Sequence, residues 1–233
     1  MTVLHLADER EAADLAAFLS RLLHYDRGAA VRLQASGTAL AVFGRPPSFE
    51  VLAVRAVRLA KPYEDGIDVT LDVTVSAGEL LESVDETAVT AAVPGAVTGP
   101  PWAGMLPPRT GWQAEPGLPA PDSLRALVAA AVAEFKARTG ELAPEARTRA
   151  ELDRIGREIW SRTVARTDLP VRAVHAAQSL GFLRPSAASA GADGDSGEPV
   201  LLASGPWLRL RTPYGSIALR RAGAAGALGL SVR

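Results

Sequence analysis

Apolar residues recur at intervals of three and four in several stretches of the chain. This spacing gathers them on one face of an α-helix. Ser76 and Thr148 each stand three residues before a Glu, which is the capping-box pattern that begins a helix. The spacing and these caps predict helices over residues 8–24, 77–81, 122–138, 149–165 and 171–180.

Other stretches have the patterns of β-strands. Residues 67–75 alternate strictly between apolar and polar side chains, which predicts a strand with one buried face and one acidic, solvated face. Residues 49–59 are apolar on both faces, which predicts a central strand. Ser36-Gly37 is a two-residue turn signal and predicts a hairpin. Further strands are predicted over residues 30–35, 38–43, 200–203 and 228–232, with a basic hairpin over residues 207–221 and either a strand or an irregular return over residues 87–93.

Two segments break these patterns. Residues 94–121 are rich in Pro and Gly and cannot sustain a helix or an inner strand. They carry Trp102 and Trp112, which a solvated linker would leave in water, so we expect an extended arm packed between two modules. The arm could instead be a proline-rich ligand that docks into an aromatic groove of a protein partner. Residues 186–199 are small, polar and Gly-rich, which is typical of a disordered loop.

Together the elements predict an α+β fold in two parts. Residues 1–93 should form a helix packed on an antiparallel β-sheet. Residues 122–233 should form a helical module that ends in a β-hairpin, and residues 94–121 are the connecting arm. Helices followed by a basic hairpin have the order of a winged helix, so the second module is predicted to be winged-helix-like.

Composition limits the function classes. The 233 residues include 48% hydrophobic and 22% charged side chains, which are values of a globular protein. There is no Cys, which excludes disulfides, thiolate metal ligands and Cys nucleophiles, and fits a reducing compartment. The first residues lack the apolar stretch of a signal peptide, and no apolar run approaches the length needed to span a bilayer. We therefore expect a cytoplasmic protein without a membrane partner.

Charge is distributed unevenly along the chain. Residues 1–93 contain 8 basic and 14 acidic side chains, a net charge of −6. Residues 122–183 carry +2 and residues 184–233 carry +3. An acidic first part and a mildly basic second part indicate two different surfaces, of which the basic one suits a polyanion.

The basic hairpin supplies the first set of candidate binding residues. Alternation places Trp207, Arg209 and Arg211 on one face of its first strand, and Arg220 and Arg221 end its second strand. Such a face can contact phosphates. Because nearly all basic residues of this chain are Arg, an ordinary solvated hairpin face explains the same pattern.

The helix over residues 171–180 supplies the second set. Arg172, His175, Gln178 and Ser179 lie on its polar side and can hydrogen-bond to base edges or phosphates. A solvated helix face is the simpler interpretation. If both sets bind DNA, then Arg172, Arg209, Arg211 and Arg220 should share one surface.

The sequence offers no catalytic residue, no metal site and no cofactor site. His5, His24 and His175 lack partners at metal-ligand spacing. No serine stands in a nucleophile-elbow pattern, and no Gly-rich segment has phosphate-cradling spacing. An acidic cluster of Glu64, Asp65, Asp68 and Asp72 is interpreted as a solvated face.

The sequence thus favours a non-enzymatic, DNA-associated regulatory protein whose partner is double-stranded DNA. Its acidic N-terminal module would serve a protein partner or a homodimer. The alternative is a protein–protein adaptor that binds through Trp102 and Trp112. An enzyme with an unrecognised site is the third hypothesis.

Overall fold

The computed structural model describes residues 2–60, 71–185 and 198–221. Asp8, Ser76 and Thr148 cap three helices with side-chain oxygens that accept backbone N–H bonds from the residues three positions on. The two predicted capping boxes therefore begin helices as expected. The described helices are α1 (Glu9–Tyr25), α2 (Ala77–Glu82), α3 (Pro121–Gly140), α4 (Arg149–Trp160) and α5 (Val171–Ser179).

Eleven strands are found in the described residues and form two antiparallel sheets. They are β1 (Val3–His5), β2 (Ala30–Ser36), β3 (Ala39–Gly44), β4 (Leu52–Arg58), β5 (Asp72–Ser76), β6 (Val84–Asp85), β7 (Thr90–Ala92), β8 (Gln113–Ala114), β9 (Val200–Ser204), β10 (Trp207–Thr212) and β11 (Gly215–Arg220). The small sheet has the order β1-β7-β6. The large sheet has the order β5-β2-β3-β4-β11-β10-β9-β8.

The large sheet contains strands from both parts of the chain. Strand β4 pairs with β11 in the register Val54 with Ser216 and Leu52 with Ala218. The predicted basic hairpin is formed by β10 and β11, and it lies inside the sheet between β4 and β9. The central position predicted for residues 49–59 is explained by this pairing, because both edges of β4 are hydrogen-bonded.

One face of the large sheet carries the main hydrophobic core. Leu33, Val42, Ile217 and Leu210 point to this core face and are fully buried. Helices α1, α3 and α5 contribute their apolar sides to the same core cluster. Leu15 of α1 is among the residues with no exposed surface. Since the cluster includes residues from both parts of the chain, the core is continuous across the β4–β11 pairing.

The opposite face, here called the second face, is crossed by the arm. Val97 N–H donates to the carbonyl of Thr74 at the β5 edge, and Arg32 of β2 donates to the carbonyl of Ala103 at 2.5 Å. Further along, the arm forms β8, which pairs with β9 at the other edge. The arm therefore spans the sheet from edge to edge, and its predicted packing role is consistent with these contacts.

The predicted fold class is confirmed: the protein is α+β, with helices on antiparallel sheet and a β-hairpin after the last helix. The winged-helix resemblance and the division at residues 93 and 122 stay predictions. Several expected features fall partly or wholly outside the described residues: the start of the strand over 67–75, the acidic residues 64, 65 and 68, most of the 186–199 loop and the strand at 228–232. Among the helices that are described, none combines the length and apolarity needed to cross a membrane.

Candidate nucleic-acid interface

A group of arginines and tryptophans lies on the second face at the β8–β11 side of the sheet. Leu208 and Leu210 of β10 point into the core, so the alternate residues of this strand point to the second face. Pairing of β10 with β11 sets Trp207 opposite Arg220. We call the group the Arg–Trp face; it consists of Trp112, Trp207, Arg209, Arg211 and Arg220.

Two guanidinium groups of this face stand over indole rings. The guanidinium carbon of Arg209 is 5.7 Å from the centroid of the Trp112 ring. The guanidinium carbon of Arg220 is 5.5 Å from the centroid of the Trp207 ring. Trp112 is held by a 2.9 Å hydrogen bond from its Nε1 to the carbonyl of Pro108. Cation–π contacts of this kind orient the guanidinium groups without neutralising their charge.

Arg209 has an unusual environment for a charged side chain. It is half-buried, and no carboxylate in the described residues pairs with it. Burial, with a smaller effect from the neighbouring Arg211 charge, lowers the pKa of the Arg209 guanidinium below its ordinary value. Its Nε is buried and has no hydrogen-bond acceptor within the described residues. A buried donor without an acceptor costs free energy, so this position favours an anionic partner.

Arg221 differs from its neighbours because it already has acidic partners. Its guanidinium forms an ion pair with Glu115 and another with Asp168, the latter at 3.0 Å. These contacts join the end of β11 to the arm and to the loop before α5. Arg221 was predicted to bind DNA, but the structure uses its charge within the protein.

The predicted residues on α5 lie across the sheet from the Arg–Trp face. Arg172 is 3.8 Å from a Glu50 oxygen, and His175 lies between two aromatic rings. Gln178 is exposed and Ser179 is half-buried. Because α5 covers the core face, the expected single surface for Arg172, Arg209, Arg211 and Arg220 is not formed.

Stacking explains the position of His175. Its ring is 4.6 Å from the Trp160 ring and 5.1 Å from the Phe49 ring, measured between centroids. Burial lowers the pKa of the imidazole below its usual value. Packing of this kind favours the neutral ring, which is a poor phosphate ligand.

The two tryptophans predicted to bind a protein both contact their own chain. Trp102 and Leu106 of the arm pack on a second apolar cluster formed by Phe43, Leu52, Val54 and Ala218. Trp112 lies under Arg209. Both indoles are half-buried, as expected for an arm that packs on the sheet.

Sequence reasoning missed a buried ionic network centred on Arg55 of β4. Arg55 donates to Glu11 at 2.9 Å, to Asp14 at 3.3 Å and to the carbonyl of Tyr214 at 2.8 Å. Arg184, which follows α5, pairs with the same Asp14 at 2.6 Å. The one available signal was Arg55 itself, a charged residue in the middle of a strand that is mostly apolar on both faces.

Comparison with known families matches both parts of the chain but adds no activity. Residues 1–104 match a family model described as Domain of unknown function (DUF8010). Residues 107–224 match the model described as Domain of unknown function (DUF8185), and the chain belongs to that family. The two matches meet inside the arm. No functionally curated protein matches the chain.

Acidic and histidine side chains provide no alternative centre in the part of the chain that the structure describes. No three of them come together in an arrangement that could hold a metal ion. The Arg–Trp face is therefore the candidate site with the clearest chemistry among these residues.

Proposed function

We propose that the protein is a non-enzymatic, DNA-associated protein that binds through its Arg–Trp face. The observation that carries the proposal is Arg209, a half-buried guanidinium without a carboxylate partner in the described residues. Arg211 and Arg220 lie on the same face of the same hairpin. A phosphate would accept hydrogen bonds from the terminal nitrogens of Arg209, whose charge no described carboxylate neutralises, and each neutralised phosphate adds salt-dependent affinity.

The geometry of the Arg–Trp face favours single-stranded nucleic acid over a duplex. The arginines lie on a sheet face that the arm borders, and none is on a helix that could enter a major groove. Trp207 and Trp112 lie beside them, each with a guanidinium group over its ring, and a base would stack on the other ring face or replace the guanidinium group. Aromatic rings interleaved with basic residues are typical of surfaces that bind single strands. In this proposal the α5 residues support the fold and do not contact the nucleic acid.

The distribution of charge along the chain also supports binding of a nucleic acid at the Arg–Trp face. The first 93 residues carry a net charge of −6, whereas the hairpin belongs to the basic part of the chain. A polyanion is therefore repelled from the first part and attracted to the second. The acidic part is left for protein contacts, which suits a regulatory role.

The proposal is tested by fluorescence anisotropy with labelled random-sequence oligonucleotides, single-stranded and duplex. Salt is varied from about 25 to about 200 mM, because phosphate contacts appear as a slope of log affinity against log salt. We expect binding at low salt, with the single strand bound more tightly. Replacing Arg209 and Arg211 together with Gln should weaken binding at least tenfold and lower the slope by roughly 1.4, about 0.7 for each lost single-strand contact.

Arg149→Gln is the matched control, because Arg149 is 91% exposed and lies on α4, far along the chain from the hairpin. It removes the same kind of charge without touching the Arg–Trp face. The proposal fails if no oligonucleotide binds at the lowest salt, or if the double variant and the control change the slope equally.

A protein-binding role for the arm is the second candidate. Met105 is 60% exposed although it stands close in sequence to the packed Trp102, so the arm offers an apolar side chain to a partner. Recovery of a stoichiometric protein partner after nuclease treatment, lost on replacing Met105 with Glu, would favour this role. Retention of the partner by that variant would exclude the arm as its binding surface.

A further inference from the structure

A cleft of about 670 Å³ lies near the β5 edge of the sheet, at the opposite end of the second face from the Arg–Trp face. Its walls are the loop between α1 and β2, the segment after β3, the end of β5 and the start of the arm. A volume of this size suits a small organic molecule. The cleft shares the second face with the Arg–Trp face, but its lining includes none of the residues of that face.

Two side chains of opposite charge line this cleft without pairing. Asp26 accepts a hydrogen bond from Gly28 N–H at 3.0 Å through Oδ1. Arg45 is exposed, and no hydrogen bond or ion pair joins it to any residue that the structure describes. No ion pair joins Asp26 to Arg45 or to another described residue. The cleft therefore presents one anionic and one cationic group, and each has capacity for a ligand.

The remaining wall combines apolar side chains with polar groups. Trp102, Pro47 and Pro100 line it, with Val97, which is 40% exposed. Ser76 and Thr98 add hydroxyl groups. Apolar walls with a few polar groups are typical of small-molecule sites.

The arm keeps the cleft open through close contacts with β5. Val97 N–H donates to the carbonyl of Thr74 at 2.9 Å, and Val75 forms a bridge with Ala96. A Cβ at Gly99 would lie 3.2 Å from the Thr74 hydroxyl, which is a tight contact, so glycine suits this close approach to the strand. The wall formed by the arm is thus preformed, which limits the ordering cost of binding.

We propose that this cleft binds a small zwitterion with an apolar body, the chemical class of amino acids and short peptides. Arg45 receives the carboxylate and Asp26 receives the ammonium group. Trp102 and the two prolines cover the apolar part. A zwitterion can make a charge-assisted contact with each of the two groups, whereas a ligand with a single charge gains only one such contact, which favours the zwitterion.

The test is isothermal titration of the full chain with a matched set of probes. The probes are L-phenylalanine, the dipeptide leucyl-phenylalanine, phenethylamine and 3-phenylpropionate. A zwitterion should bind with a Kd below about 1 mM, and the two singly charged analogues should bind at least tenfold more weakly. Absence of saturable binding of either zwitterion up to about 10 mM overturns the proposal. Equal binding of a singly charged analogue overturns it as well.

Substitutions of the two charged residues of the cleft test whether the zwitterion binds there. Arg45→Gln and Asp26→Asn should each weaken zwitterion binding tenfold or more, and the Asn variant keeps the oxygen that accepts from Gly28. Arg27→Gln is the control, because Arg27 is exposed in the same loop but does not line the cleft. Thermal unfolding of each variant checks that it is folded. Unchanged affinity in a folded Arg45→Gln variant places the ligand elsewhere and contradicts the proposal, whatever the outcome of the DNA experiments.

Discussion

Arg55 and Arg209 stand on opposite faces of the same sheet and show what the two faces do with one kind of side chain. Arg55 points to the core face, where two carboxylates and a backbone carbonyl accept its hydrogen bonds. Arg209 points to the second face, where an indole ring is its described neighbour and no carboxylate in the described residues pairs with it.

Burial alone therefore does not decide whether an arginine has a structural role. A buried charge is tolerated when the fold supplies its partners, as it does for Arg55. When the fold supplies an aromatic ring and no anion, the charge is kept available for something outside the chain. Arginines that have carboxylate or carbonyl acceptors within the protein stabilise the fold, and the arginine without a described carboxylate partner belongs to the candidate site.

The first prediction compares how much buried side chains on the two faces contribute to the free energy of unfolding. Leu210 has no exposed surface on that face, and Leu202 is half-buried on the second face beside Arg209. Leu210→Ala should lower the free energy of unfolding by about 4 kcal/mol, through lost burial and a cavity. Leu202→Ala should lower it by less than about 1 kcal/mol. Urea denaturation measures both, and similar losses would contradict the assignment of the faces.

The next effect concerns the two arginines directly. Arg55→Met should destabilise the protein by about 3 kcal/mol, because Glu11 and Asp14 would lose a buried partner. Arg58 and Arg184 still pair with these carboxylates, which keeps the loss moderate. Arg209→Met is the matched variant and should change stability by less than about 1 kcal/mol, since no ion pair is broken. If chemical denaturation shows that Arg55→Met and Arg209→Met lower the free energy of unfolding equally, the proposed difference between the two arginines is wrong.

A smaller effect is expected for the arm on the second face. Trp102→Ala removes a half-buried ring from the cluster of Phe43, Leu52 and Val54. We expect a loss of about 2 kcal/mol, roughly half of that for a fully buried ring. Met105→Ala serves as control, because Met105 is 60% exposed and should be within about 0.5 kcal/mol of the parent. If Trp102→Ala lowers the free energy of unfolding by less than about 0.5 kcal/mol, the Trp102 indole does not hold the arm on the sheet.

The smallest effect is a pH dependence in the helix layer that covers the core face. Burial lowers the pKa of His175 in the folded protein, so between the unfolded pKa of about 6.5 and the lower folded pKa the unfolded chain binds the extra proton. The contribution of His175 to stability is therefore full above about pH 6.5 and falls as pH decreases below it. As pH decreases below about 6.5, the melting temperature of the parent should fall relative to that of His175→Phe, which keeps an aromatic ring but has no group that titrates there. A parallel pH dependence in both proteins would assign the titration to other groups.

Much of the fold could be predicted because its signals are local. The Ser76 and Thr148 caps and the hairpin over residues 207–221 are found as predicted. The hairpin signalled by Ser36-Gly37 is also present, but its two turn residues are Gly37 and Thr38, because Ser36 still pairs with Ala39. Two strands of the small sheet, β1 and β6, escaped prediction because they have only two or three residues, and β7 falls within residues 87–93, where a strand was one of two expectations. Strands that short leave no measurable alternation.

The candidate site was only partly predictable for a different reason. Alternation along β10 correctly put Arg209 and Arg211 on one face. Nothing in the order of elements shows on which side of a sheet a preceding helix lies, so Arg172 and His175 were grouped with the hairpin. The pairing of β4 with β11 joins residues more than 160 positions apart in sequence, and neither strand carries a local mark of its partner.

Because β4 pairs with β11, neither half of the polypeptide forms a complete large sheet or a complete core by itself. If the chain were divided inside the arm, each fragment would present a bare row of amides and carbonyls where the other should dock, along with an uncovered apolar layer. Two such fragments, expressed as separate polypeptides and mixed, should recover one another as a heterodimer, and each alone should aggregate or self-associate.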